Sequence, residues 1–249
     1  MAKFPSIFFL AFLFTVSNCC LCFGQELDKS TFYNWFDGMI GKANSGIYFG
    51  KEYVEHYRML NDKHKFFDNP NFSVGSVVYD DQPYFDVELK YDLFEDQLLI
   101  RFTGQSVSPT LVVYKDKVSG FSINGHKFEN LKFDPSNDSK PFGFLEVLLA
   151  NDSIVLYEKH QKKIRTRMNE RIQYFEFKSH NSYHLWYQDN YFQINEKRSL
   201  VSIFPNFKTE LRDIENQYKS LKKENPSAYL KAVLKDLYNN VLQNSLVIQ

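Results

Sequence analysis

Residues 84–93, "YFDVELKYDL", limit most strongly what this chain can fold into. Phe85, Val87, Leu89, Tyr91 and Leu93 alternate there with Tyr84, Asp86, Glu88, Lys90 and Asp92. Apolar residues at every second position cannot share one side of a helix, but they line one side of a pleated strand. The expectation is a strand with one buried face and one wet face. Asp80-Asp81-Gln82-Pro83 leads in from Val77-Val78-Tyr79, and Glu95-Asp96 leads out into Leu98, Ile100 and Phe102. Both connections have turn composition, so three strands of an antiparallel meander follow.

The same punctuation continues. Lys115-Asp116 separates 110–114 from 118–123, Asn124-Gly125 precedes 126–131, and Asn151-Asp152 separates 144–149 from 154–158. Asn-Gly is the sharpest of these signals, because both residues accept the positive φ of a type I′ turn. Residues 172–178 and 183–188 join at Ser179-His180-Asn181, and 191–194 follow Asp189-Asn190. About ten strands at this spacing describe a sandwich or barrel. A content of 25 Phe and 16 Tyr suits sheets with a thick aromatic core.

After residue 196 the period becomes helical. Phe207, Leu211, Ile214, Tyr218 and Leu221 form one apolar stripe. Asn225 and Pro226 then supply an N-cap and a first-turn proline for Leu230, Val233, Leu234, Leu237, Tyr238 and Val241. The fold class is therefore mainly β: an antiparallel meander curled into a half barrel or sandwich, followed by two C-terminal amphipathic helices, α+β overall. Residues 183–187 are apolar on both faces, as in a strand covered on both sides. Residues 25–249 read as one mature domain, with an N-terminal segment 25–71, the meander 72–196 and the helices 197–249. Within 25–71 the signals are mixed: 32–36 is aromatic-rich, 46–57 has strand character and 61–64 reads as a loop.

Met1-Ala2-Lys3, the apolar run 7–16 and the small residues before Gln25 describe a secretory signal peptide cleaved after Gly24. The expected location is the periplasm or outer cell envelope. The run falls short of the ~20 residues that span a bilayer, so no transmembrane insertion is expected. Cys19, Cys20 and Cys22 all precede the cleavage point. Disulfides, Cys-bound zinc and Cys nucleophiles are then excluded together. Asn18 before Cys19 makes a poor lipidation motif, so lipid anchoring is not expected. With 30 basic and 30 acidic residues, no global field favours nucleic acid.

Several constellations invite a chemical reading. Asp86 and Glu88, ~6.6 Å apart along one strand face, have the separation of a glycosidase pair. Their alternation alone also accounts for them as a solvated face. Asp80-Asp81 has calcium-type oxygens but equally a turn signature. His56, His64, His126, His160, His180 and His184 show no His-Glu-x-x-His spacing, and no metal or cofactor is expected. No Gly-x-Ser-x-Gly elbow occurs. The run 159–171 is basic, and Lys159, Lys162, Lys163, Arg165 and Arg167 are candidate contacts for an acidic partner, lipopolysaccharide phosphate or anionic lipid. A solvated strand end followed by a long loop is the rival account. His184 and Trp186 share a strand face, and with Tyr84 and Tyr174 they are candidates for stacking a glycan or peptide.

The run 75–92, with Phe121-Ser122-Ile123-Asn124-Gly125-His126-Lys127-Phe128 and the closing helices, resembles an uncharacterised family of exported envelope proteins from Bacteroidota-type bacteria. The resemblance implies an envelope location and carries over no catalytic residues. The leading expectation is a non-enzymatic protein that binds a ligand or partner, either an unknown envelope protein or an apolar or glycan ligand, with an apolar molecule placed under the helices. Two alternatives stand beside it: a structural or assembly partner of an envelope complex, and a hydrolase using Asp86 and Glu88.

Overall fold

The computed structural model describes residues 29–40, 45–59, 62–101, 108–134, 137, 140–195 and 199–242. The expected signal segment, the three cysteines and the expected cleavage position lie outside the described residues. The strands are β1 (Lys51–Glu52), β2 (Ser73–Tyr79), β3 (Gln82–Asp92), β4 (Gln97–Arg101), β5 (Leu111–Val112), β6 (Val118–Ile123) and β7 (His126–Leu131). They continue as β8 (Gly143–Ala150), β9 (Ile154–Lys159), β10 (Lys162–Asn169), β11 (Ile172–Ser179), β12 (Ser182–Tyr187) and β13 (Asn190–Ile194). The helices are α1 (Lys29–Ile40), α2 (Leu200–Ile203), α3 (Lys208–Gln217), α4 (Leu221–Glu224) and α5 (Pro226–Leu237). Among them no helix is long and apolar enough to cross a membrane.

Eleven strands form one open antiparallel sheet in the order β1-β5-β4-β3-β2-β6-β7-β8-β9-β12-β13, while β10 and β11 pair only with each other. Two-residue turns with positive φ at both positions join four of the hairpins: Asp80-Asp81, Asn124-Gly125, Glu170-Arg171 and Gln188-Asp189. That backbone matches the twist of the strands it joins.

The sheet must curl. Strands β3 and β8 are four spacings apart in the sheet order, about 19 Å if it were flat. Yet the rings of Tyr91 on β3 and Phe144 on β8 lie 5.7 Å apart, edge to face. Tyr91, Phe121, Phe128 and Phe144 fill the hollow of the curl, with Phe121 and Phe128 stacked at 4.7 Å. Full burial of one such ring is worth roughly 1.5–3 kcal/mol, so this cluster is a main source of the curvature's stability.

A second core forms where the C-terminal helices cover the other half of the sheet. Ile154, Leu156 and Leu185 meet Leu211, Ile214, Leu230, Val233, Leu234 and Leu237. Asn225 caps α5 as expected, accepting the Ala228 backbone N–H at 2.9 Å, with Pro226 in the first turn. The first expected helix is broken into α3 and α4 by a turn after Gln217. Tyr218 sits in that turn and donates to Asp236 of α5 at 2.7 Å.

Strand β3 departs from strict alternation. Phe85 and Asp86 together oppose Ser76, because Val77 pairs with Tyr84 and Gly75 with Val87. Asp86 takes φ of +52° at this bulge. The extra residue flips the strand's first part, so Tyr84 is buried in the core rather than outward as expected. Asp92, expected on the wet face, is wholly buried. Residues 53–59 and 62–72 cross that face, and Phe66 bridges to Asp92. The basic run, whose rival account was a long loop, is instead the full strand β10.

Candidate functional site

Four of the carboxylates around β3 are each held by a structural partner. Asp80 meets Lys117 at 2.7 Å. Asp86 accepts from the Asn34 amide of α1 at 2.6 Å. Glu88 is gripped by both Nε and Nη2 of Arg101. Asp92 Oδ2 touches the ammonium of the equally buried Lys65 at 2.8 Å. That contact is an ion pair without a well-aligned hydrogen bond. Its Oδ1 accepts the backbone N–H groups of Phe94 and Glu95. Cations and rings interleave above the strand: Lys65 against Tyr57, Lys90 between Phe66 and Phe72, and Arg101 over Phe72. Asp86 and Glu88 thus face Asn34 and Arg101, and neither lines the clefts described below.

Asp96, in the turn after β3, ties the curl together. One of its oxygens receives Lys115 and, at 2.7 Å, Lys159 of β9; the other accepts the Tyr91 hydroxyl at 2.6 Å. Lys159 also donates to the Phe144 carbonyl. A Cβ at Gly143, where φ is +86°, would lie 2.1 Å from Asp96 Oδ2. Only glycine fits there. Burial raises the Asp96 pKa, but Lys159, Lys115 and Tyr91 more than offset it, and the carboxyl lies below its usual range. For Lys159 burial outweighs Asp96 and lowers the ammonium. Three donors converge on Asp96, so the pair is held as carboxylate and ammonium.

Beside this clasp opens a cleft of about 670 Å³ lined by Glu95, Lys115, Lys140, Phe142 and Lys159, with Gln161, Ser182, His184 and Gln193 along β12 and its neighbours. On β12, Leu185 packs under the helices with Tyr183 and Tyr187 beside it, so His184 and Trp186 point to the opposite side. The strand is thus covered by helices on one face only. His184 Nε2 and Ser182 Oγ are 3.1 Å apart, and His184 Nδ1 is buried with no hydrogen-bond partner among the described residues. Burial, aided by Lys159, pushes the imidazole down to about 4. It is neutral at pH 7 but too weak a base for efficient proton abstraction.

This shift makes a stability prediction. The unfolded imidazole protonates near its ordinary value of 6.5 while the folded one stays neutral to about pH 4. The unfolded state therefore binds more protons between those limits, and stability falls as pH drops through that window. Replacing His184 with Gln is expected to remove up to about 3 kcal/mol of this loss. Urea unfolding at pH 7, 5.5 and 4 measures it; parallel profiles for both proteins would refute it.

A second polar cluster lies where the two cores meet. Glu146 and Glu158 are directly opposed across β8 and β9, both buried. Glu146 is held at 2.6 Å by His126 and by His160, and Glu158 by Asn181 and Ser227. Glu146, Glu158 and His160 bring ligand-type atoms within 4.8 Å of one another. The spacing suits a cation, which the sequence offered no pattern for, but these hydrogen bonds already occupy its donor atoms. Burial raises the Glu146 pKa, yet both imidazoles outweigh it and leave the carboxyl below its usual range.

The remaining candidates separate. Tyr84 belongs to the first core and Tyr174 to the outer face of β11, and of the four stacking candidates His184 lines the cleft whereas Trp186 does not. Lys159 is spent on Asp96, and Lys162 caps the carbonyls of His64 and Phe66. Lys163, Arg165 and Arg167 share one exposed face of β10. Under the helices the sheet is filled by side chains, with an edge hollow of about 290 Å³ between Tyr183, Leu200, Tyr229 and Leu230. No protein-family model, curated protein or solved structure matches the chain. Functional inference therefore rests on this geometry.

Proposed function

We propose that this chain is an exported, non-enzymatic envelope protein that holds a saccharide in the cleft beside β12. The observation that carries this reading is the row of uncharged polar side chains along one cleft wall, to which His184 contributes a neutral imidazole. Gln161, Ser182 and Gln193 extend the same wall with neutral donors and acceptors, and Phe142 adds an exposed ring. Such a set matches a polyhydroxylated molecule better than an acyl chain. The volume of about 670 Å³ also lies within the usual range for ligand sites, whereas the apolar hollow under the helices, at about 290 Å³, falls at its lower limit.

Calorimetric titration with a β-1,4-linked N-acetylglucosamine tetramer, maltotetraose and a dextran oligomer tests the proposal. Saturable binding of at least one is expected, with His184→Ala and Gln193→Ala each weakening it about tenfold, the worth of one lost hydrogen bond. Absence of saturable binding across the panel, or equal affinity in both variants, overturns it.

A further inference from the structure

The hairpin of β10 and β11 stands apart from the main sheet. Its inner face is anchored by Phe175 and Phe177 on Tyr57, at 5.3 and 5.5 Å, and by Phe177 on Phe94. Two backbone bonds, Phe175 to Arg58 and Phe177 to Lys63, fix β11 to the crossing chain. Lys163, Arg165 and Arg167 alternate with the inward residues of β10 and lie opposite Lys178, Glu176 and Tyr174. Residues 162–179 contain six cations and two carboxylates, a net charge of +4 in a chain whose total is zero.

Two features of this arm are unfavourable for folding alone. Lys163 faces Lys178 directly across the ladder, a like-charge pairing that destabilises a sheet. The one carboxylate on that face, Glu176, is shared between Lys63 and Arg167 and relieves neither lysine. At the tip, Met168 is 66% exposed and Ile172 45% exposed, on either side of Glu170 and Arg171 with positive φ. Among the described residues no side chain pairs with Lys163, Arg165, Arg171 or Lys178.

The geometry points to an arm that docks on the phosphate-bearing surface of a lipid bilayer, with Ile172, on the same face as those cations, entering the headgroup boundary. Lipid phosphates neutralise the outward cations and remove the Lys163–Lys178 conflict. The apolar tip selects a bilayer over an acidic protein or free phosphate, because those offer it no apolar phase. This inference is independent of the cleft, whose residues lie outside the arm.

The full mature chain is expected to co-sediment with vesicles of phosphatidylcholine containing phosphatidylglycerol, and not with phosphatidylcholine alone. Raised salt should weaken the binding. The triple variant Lys163→Glu, Arg165→Glu, Arg167→Glu should reduce partitioning by about tenfold or more. Because charge reversal also risks the fold, a second variant replaces Lys163 and Lys178 with Gln. It removes the like-charge pair, so it should unfold at the same or higher denaturant concentration while binding less. In an Ile172→Trp protein, anionic vesicles should blue-shift the emission. Equal binding to both vesicle types, undiminished binding by the Gln variant, an unshifted tryptophan, or full competition by millimolar inorganic phosphate overturns the inference.

Discussion

Replacing Asp92 with Asn is expected to lower the unfolding free energy by about 3 kcal/mol, the lower end for breaking a buried ion pair from one side. Asparagine keeps an oxygen for the backbone N–H groups of Phe94 and Glu95, so the turn survives and the lost charge is isolated. Lys65, 2% exposed, is then left with Glu55 at 3.3 Å as its nearest counter-charge. For a chain of this size the melting temperature should fall by roughly 6–12 °C. Adding Lys65→Met to Asp92→Asn should recover most of the loss, because the site is walled by Tyr53, Tyr57 and Phe66 and accepts an apolar side chain. Urea unfolding of the four proteins in this double-mutant cycle gives the coupling. A cost below about 0.5 kcal/mol for Asp92→Asn would show that the pair is not desolvated in solution.

The pair also shows what local pattern can and cannot reveal. Alternation in β3 placed Leu89 and Tyr91 in the core, and the cap at Asn225 and the stripe through Leu234 located α5, because both signals repeat within a single element. The bulge at Asp86 was invisible, since one residue adopting positive φ leaves no periodic trace until the strand pairs with β2. Asp92 read as solvated because its cover, the chain around Lys65 and Phe66, comes from a segment with no regular pattern of its own. Strand β10 was hidden for another reason. Its turn uses Glu170-Arg171 where type I′ geometry favours Asn-Gly, and its alternation is between cations and mixed residues rather than apolar and polar ones.

The candidate site was legible only in part. His184 stood out by sharing a strand face with Trp186. Its cleft, however, is walled by Lys115, the segment from Lys140 to Phe142, and Gln193, three separate stretches of chain, and no spacing rule joins them. The opposition of Glu146 and Glu158 likewise depends on the register of β8 against β9, which includes a bulge between Val147 and Leu149. For the cleft and the Asp96 clasp the cause is curl. It brings residues together across the hollow that neither sequence distance nor neighbouring strands would pair.

Asp96→Ala tests that cause directly. It removes the shared counter-charge of Lys115 and Lys159 and leaves Lys159, with a side chain 8% exposed, holding the Phe144 carbonyl alone. The expected loss at pH 7 is about 3–4 kcal/mol, since an uncompensated buried cation remains. The pH dependence identifies the source. The folded Asp96 pKa is depressed below its ordinary value of 3.8, so its contribution is complete above that pH and disappears as pH falls through the folded value. Wild type and variant should therefore differ fully at pH 6 and converge only below about pH 4. The His184 effect, acting between about 4 and 6.5, remains in both proteins. Hydrogen exchange gives the spatial readout: amides at the start of β8 should lose protection in the variant while those of α5 do not. Uniform loss across both would mean that Asp96 supports the whole molecule rather than closing the curl.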